Sequence, residues 1–176
     1  MLTKRPDMAA MPEAPRGARD LLYLREAEIR LAQDLLFFGY RGFTQRPDRL
    51  LEELDMGRAH HRVLHFVGRR PGITVGELLA ILDITKQSLG RVLQPMITEG
   101  YVIQTAGRAD KRQRLLSLTE KGAALERRLY DAQRDVIMQA YREAGPQAVD
   151  GFRRVMRGLM GEAARDEIDR LEKGTP

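Results

Sequence analysis

The residues best equipped for chemistry lie between Thr85 and Arg114. Six basic side chains (Lys86, Arg91, Arg108, Lys111, Arg112 and Arg114) face only two acids there, Glu99 and Asp110, so the stretch carries +4 of the chain's net +5. From Thr119 onward, eleven basic residues are balanced by eleven acidic ones. Positive charge gathered in one stretch makes a field suited to a polyanion, although a solvated charged face is the commoner meaning of such a run. The residue types add detail. Gln87, Gln94 and Arg91 carry the paired donors and acceptors that match adenine and guanine edges. Arg108, Lys111 and Arg112 crowd together where repulsion brings no folding benefit, and the counter-charge they suit is phosphate or a narrow minor groove. Asp110, two residues before Arg112, either holds its guanidinium or is a plain turn residue.

These side chains need elements to position them. Thr74 and Glu77 have capping-box spacing and open a short helix through Leu82. Asp83-Ile84 makes a tight turn. Thr85 then caps a second helix, Lys86 to Glu99, ended by Gly100. Two short helices so close together fit a helix-turn-helix. In the second, Leu89, Val92, Leu93 and Met96 must face a core, which turns Lys86, Gln87, Ser88, Gly90, Arg91 and Gln94 outward. Gly90 allows close backbone approach, and Pro95 predicts a kink or a distorted last turn. Tyr101 to Thr105 and Leu115 to Leu118 read as two strands joined by a long charged tip, Ala106 to Gln113.

The flanks read as helical. Leu24, Ala27, Leu31, Leu35 and Phe38 share one face of a helix over Leu21–Tyr40. Arg41 to Pro47 reads as a loop, with a short helical piece Asp48–Leu54 and a helix from Gly57 to Arg69 after it. Thr119 caps a helix to about Glu143. After Gly145-Pro146, a last helix over Gln147–Leu171 carries the stripe Val149, Phe152, Met156, Leu159, Met160 and Ala163. Met1 to Gly17 reads as a flexible arm.

Composition narrows the function. Of 176 residues, 43% are hydrophobic and 31% charged, and no run suits a membrane span or a signal peptide, so a cytoplasmic protein is expected. There is no cysteine, which removes disulfides, thiolate zinc sites and thiol redox sensing. No Gly-rich phosphate loop, nucleophile elbow or metal triad is present, so the chain reads as no enzyme, and no cofactor or metal is expected. His60, His61 and His65 all fall on the helix from Gly57. His61 and His65, four apart, can bind a metal or haem iron or sense pH. The plainer reading is that they pack or hydrogen-bond between helices.

The order helix, turn, helix, charged hairpin is a winged helix-turn-helix, and Ile73 to Gly122 resembles the MarR family (multiple antibiotic resistance regulators). The residues that carry the resemblance are Ile84-Thr85-Lys86-Gln87-Ser88-Leu89-Gly90-Arg91-Val92-Leu93, Glu99-Gly100-Tyr101-Val102, the wing Asp110-Lys111-Arg112, and the junction Leu118-Thr119-Glu120-Lys121-Gly122. With its flanking helices, the resemblance covers about Leu21 to Leu171. It implies a mainly α fold with a small β-hairpin wing, and a homodimer in which the first helix and the last two pack across a two-fold axis. It implies a pseudo-palindromic operator in double-stranded DNA, with the helix from Lys86 in the major groove, Arg112 in the minor groove and Asp110 orienting Arg112. It also implies a pocket for a small anionic aromatic ligand, to which Arg58, His61 and His65 would contribute.

The expected organisation is an arm over 1–18, an N-terminal dimerisation helix and connection over 19–56, a DNA-binding domain over 57–118 and C-terminal dimerisation helices over 119–172. The expected DNA contacts are Thr85, Lys86, Gln87, Ser88, Gly90, Arg91, Gln94, Arg108, Asp110, Lys111 and Arg112. The expected function is a ligand-responsive repressor. The alternative is an architectural or partner-recruiting DNA-binding protein without an effector.

Overall fold

A computed structural model describes residues 22–107 and 110–173; the expected arm and Arg108 lie outside these residues. The chain divides into two compact units, Met1–Gly42 and Phe43–Pro176.

In the first unit a short 3₁₀ turn, Leu22–Leu24, precedes helix α1, which spans Glu26–Glu52 and continues into the second unit. The large apolar side chains of the first unit, Leu31, Leu35, Phe37 and Phe38 among them, are exposed.

The loop expected over Arg41–Pro47 is instead part of α1. Proline inside a helix costs several kcal/mol because it lacks an amide and crowds the preceding turn. Here Thr44, Pro47 and Leu51, at helical spacing, are all buried, and that burial offsets the cost. Gly39 and Gly42 are tolerated helix interiors at roughly 1 kcal/mol each.

The second unit continues with α2 (Arg58–Arg69), β1 (Ile73–Thr74), α3 (Val75–Leu82), α4 (Lys86–Thr98), β2 (Val102–Ala106), β3 (Arg114–Leu118), α5 (Glu120–Ala144), α6 (Pro146–Leu159) and α7 (Glu162–Lys173). The strands form an antiparallel sheet in the order β1-β3-β2, with Ile73 opposite Leu116 and Gln104 opposite the same residue. One core gathers Leu51, Val63, Leu64, Val67, Leu78, Leu89, Met96, Val102, Leu116, Leu125 and Leu129. Every element from the end of α1 to α5 contributes to it, so the two short helices and the sheet share one hydrophobic centre. Among the described residues no helix is long and apolar enough to cross a membrane.

The expected final helix, Gln147–Leu171, is two helices. Met160 is extended (φ −77°, ψ 141°) and ends α6. Gly158 and Gly161 weaken the helix on either side of the break. Arg165 Nε donates to the Arg157 carbonyl (3.0 Å), and Arg157 reaches Asp169 and Glu172 at 2.8 Å each. The Arg157 carbonyl also accepts from the Met160 amide (3.3 Å), so it is satisfied twice at the break, and the Arg157 and Arg165 bonds hold α7 back against the end of α6. Phe152, Val155 and Leu159 stay exposed.

Candidate nucleic-acid interface

Local chemistry sets the geometry of the two central helices. Thr74 Oγ1 accepts from the Glu77 amide (3.1 Å), while Glu77 Oε2 accepts from the Thr74 amide (2.8 Å). The capping box expected at the start of α3 is therefore present. Asp83 ends the helix in the left-handed region (φ 50°, ψ 49°), a conformation Asp accepts more readily than most residues. That single residue redirects the chain within the three-residue turn. Thr85 then accepts from the Ser88 amide (3.2 Å) and starts α4.

Helix α4 runs through Pro95 to Thr98. It ends in a Schellman arrangement: the Gly100 amide donates to Ile97 O (3.1 Å) and the Tyr101 amide to Met96 O (2.8 Å), with Gly100 at φ 74°. Leu89, Leu93 and Met96 are buried, and Lys86, Gln87, Ser88, Gly90, Arg91 and Gln94 are exposed. The face expected to read a ligand is the face presented to solvent. Ser88 is partly engaged, its hydroxyl 3.0 Å from Thr85 Oγ1.

The wing tip is held by its own backbone. The Gln113 amide donates to Asp110 O (3.0 Å) and the Gly107 amide to Gln113 O (3.1 Å). Asp110 Oδ1 accepts from the backbone amide of Arg112 (2.8 Å). This carboxylate thus orders the turn, as Asp does in an Asx-turn; among the described residues no acidic group pairs with the Arg112 guanidinium. Asp110, Lys111 and Arg112 are all exposed.

Between the start of α4 and the wing lies an open groove of about 630 Å³. Lys86 and Gly90 line one side and Arg112, Gln113, Arg114 and Gln104 the other. Arg114, Gln113 and Gln104 were not among the expected contacts. Strand pairing carries the signal that finds Gln104 and Arg114: Gln104 and Leu116 are paired, as are Ala106 and Arg114, which puts both on one face of the sheet, while Gln113 lies just before β3. Arg114 also steadies the tip, donating to Lys111 O at 3.3 Å.

The base of the wing is fastened to α5. Thr119 Oγ1 donates to Gly100 O (2.6 Å) and accepts from the Gly122 amide (3.1 Å). Lys121 Nζ donates to Glu99 O (2.8 Å) and sits 3.9 Å from the centre of the Tyr101 ring, a cation–π contact. Gly122 allows this approach, because a Cβ there would run into the Tyr101 carbonyl oxygen.

The second expected cluster is differently disposed. Arg58 meets Asp48 at 2.8 Å and donates to Thr44 Oγ1 at 3.2 Å, fastening the start of α2 to the end of α1. His60 Nδ1 accepts from the Gly57 amide (3.0 Å) and so serves the helix start. His61 and His65 are half-buried. Burial lowers the His61 pKa. Burial, with Arg69 and His61 nearby, lowers that of His65 to about 4. Both imidazoles are therefore neutral at neutral pH. Among the described residues, no three His, Asp or Glu side chains stand together in a way that would hold a metal ion.

A helix-turn-helix followed by a basic β-hairpin, closed on one core, defines a winged helix-turn-helix protein. The family model of the MarR family matches residues 54–113. The chain is 51% identical over 156 residues to the HTH-type transcriptional regulator PetP of Rhodobacter capsulatus, covering 89% of this chain and 94% of that one. It is 35% identical over 86 residues to the multiple antibiotic resistance protein MarR of Escherichia coli, covering 47% of this chain and 60% of that one. Among solved structures, Streptococcus pneumoniae FabT in complex with DNA matches with a TM-score of 0.66 at 15% identity, over 74% of this chain and 94% of that one. An operator-bound E. coli MarR mutant matches with a TM-score of 0.60 at 22% identity, over 80% and 99%. The chain belongs to the MarR family: it is a DNA-binding transcriptional regulator and not an enzyme.

Proposed function

We propose that the chain works as a homodimeric repressor on a pseudo-palindromic operator, with α4 in the major groove and the wing tip in the minor groove. The observation that carries this reading is where cations are left unpaired. Arg30, Arg58, Arg70, Arg127, Arg134, Arg153, Arg157 and Arg170 form ion pairs, and all of these lie outside the span from Lys86 to Arg114. Among the described residues Lys86, Arg91, Lys111, Arg112 and Arg114 form none, and three of them line one groove. Positive charge that the fold leaves uncompensated is what phosphate binding uses. Of the proposed contacts, Thr85 and Ser88 hold the start of α4 in place, and Gln87, Arg91 and Gln94 are placed to meet base edges.

The homodimer draws support from apolar surface that neither unit covers for itself: Leu31, Leu35 and Phe38 in one, Phe152, Val155 and Leu159 in the other. Exposed apolar stripes of this kind mark association surfaces, and two-fold pairing presents two recognition helices to two half-sites. On this reading residues 57–118 form the DNA-binding domain, and 19–56 and 119–172 dimerise. At Arg58, His61 and His65 the observations favour a regulator without an anionic effector, since Asp48 already meets the Arg58 charge and both imidazoles are neutral.

The test is a gel shift on duplexes selected by the protein from a random pool. Arg112→Ala should weaken binding about tenfold or more with the circular dichroism unchanged. Equal affinity at near-physiological salt would remove the wing from the interface. Arg91→Ala should relax base preference, whereas a uniform loss across sequences would place Arg91 on phosphate alone. Sedimentation should give the mass of a dimer.

A further inference from the structure

One basic residue between the recognition face and the C-terminal helices is unlike the rest. Arg70 stands where α2 ends, at the Arg70-Pro71-Gly72 break, and its guanidinium is forked between two acids far apart in sequence. One nitrogen donates to Glu77 Oε1 and the other to Glu167 Oε1, each at 2.8 Å. Glu77 is not a free surface acid. Its other oxygen accepts from both the amide and the hydroxyl of Thr74, so the carboxylate that takes Arg70 is the one that caps α3. Glu167 sits on α7, and its side chain is only 12% exposed. No residue of α7 is fully buried. The last helix is therefore attached to the helix-turn-helix chiefly by polar bonds rather than by the core.

We propose that Arg70 is a positioning residue for operator recognition. It fixes α7 against the capped start of α3, and so fixes the angle at which α4 is presented relative to the C-terminal helices. This rests on the dimeric operator-binding reading. If the C-terminal helices hold two copies together, that angle sets the separation and the rotation of the two recognition helices. Half-site spacing is read through those two quantities, since one added base pair moves a half-site by about 3.4 Å and turns it by about 35°. Two ionic hydrogen bonds to one planar guanidinium constrain orientation as well as distance, which a single lysine ammonium would not do.

The experiment uses the full chain and duplexes selected from a random pool by the wild-type protein, then altered by adding or removing one central base pair. Wild type should lose about tenfold or more in affinity on the altered duplexes. Arg70→Ala and Glu167→Gln should reduce that penalty to within about threefold, and Arg70→Lys should restore it only in part. Arg153→Ala, which removes an exposed pair with Asp150 on α6, should keep the wild-type penalty. A full penalty in both Arg70→Ala and Glu167→Gln overturns the proposal, even if melting temperatures fall. Amide exchange provides a readout without DNA: Glu167→Gln leaves the Thr74–Glu77 cap intact, yet exchange across α3 should rise several-fold. Wild-type protein that fails to bind paired half-sites would sink the operator reading instead. In that case unchanged exchange across α3 would refute the link from Glu167 through Arg70.

Discussion

Gly122→Ala gives the fold a demanding test, because two effects oppose each other in sign. Gly122 lies in the first turn of α5. At an open helical site, replacing glycine by alanine stabilises by roughly 1 kcal/mol. Here the new Cβ would run into the Tyr101 carbonyl oxygen and stand 3.0 Å from the carbonyl carbon. Both are backbone atoms, so no side-chain rotation relieves the clash. The start of α5 must move away from the start of β2. That movement strains Thr119 Oγ1 to Gly100 O (2.6 Å), the Thr119 amide to Tyr101 O (3.1 Å) and the Lys121 contacts. Losing two such bonds costs about 2 kcal/mol, and loosening the buried Tyr101 and Val102 costs about 1–3 more. After the helix gain the expected net is about 2–4 kcal/mol of destabilisation. With a urea slope of about 2 kcal/mol/M, the midpoint should fall by roughly 1–2 M. Urea unfolding followed by circular dichroism measures it. A midpoint equal to or above wild type would show that the approach of α5 to β2 is not fixed, and the account of the Thr119–Gly122 junction would fail.

Three further outcomes follow from the same structure. Gly90→Ala meets nothing within 4 Å, so it should raise stability by about 0.5–1 kcal/mol while weakening DNA binding several-fold; unchanged affinity in gel shifts would mean that DNA does not approach the backbone there. Asp110→Asn keeps an oxygen for the Arg112 amide and should preserve operator affinity, whereas Asp110→Ala should lower it, and equal losses in the two would point instead to a role for the negative charge. His65 resists protonation in the fold, with a pKa of about 4 against an ordinary 6.5. Its stabilising effect is complete above pH 6.5 and is lost as pH falls toward 4, by at most about 3 kcal/mol. His65→Gln should flatten the fall in urea midpoint between pH 7 and pH 4.5, and an unaltered slope would place the acid sensitivity elsewhere.

The central elements were legible because each is marked by short-range chemistry. Thr74 with Glu77, Thr85, Gly100 and Thr119 act on amides within a few residues, so their roles can be read from spacing. The outward face of α4 followed from Leu89, Leu93 and Met96 for the same reason. Two misreadings concern where a helix stops. Pro47 signals a stop, yet burial in line with Thr44 and Leu51 keeps α1 helical. Nothing near Met160 signals a stop as strongly, yet Arg165 and Arg157 hold the chain in a bend there. Strand β1 was also missed, since its two residues exist as a strand only through β3. Burial, side-chain bonds and strand pairing beyond the helical repeat decided the three cases, and periodicity carries no information about them.

The same limit shaped the reading of charge. Basic residues between Lys86 and Arg114 have two explanations when only their count is known, a solvated face or a binding face. Pairing separates them. Arg58, Arg70, Arg134 and Arg157 are each held by carboxylates, and their charges serve the fold. The one acid in the described wing tip, Asp110, spends its Oδ1 on a backbone amide and leaves the neighbouring guanidinium without a counter-charge. A chain selected for stability alone gains nothing from three cations beside one groove, since their repulsion opposes folding. Binding a polyanion reverses that sign, because each phosphate neutralised releases condensed counterions and the repulsion becomes attraction. The wing is thus a part of this molecule where a bound polyanion would relieve a repulsion that the fold leaves in place, whereas on α2 the Arg58 charge is met by Asp48 and burial lowers the pKa values of His61 and His65.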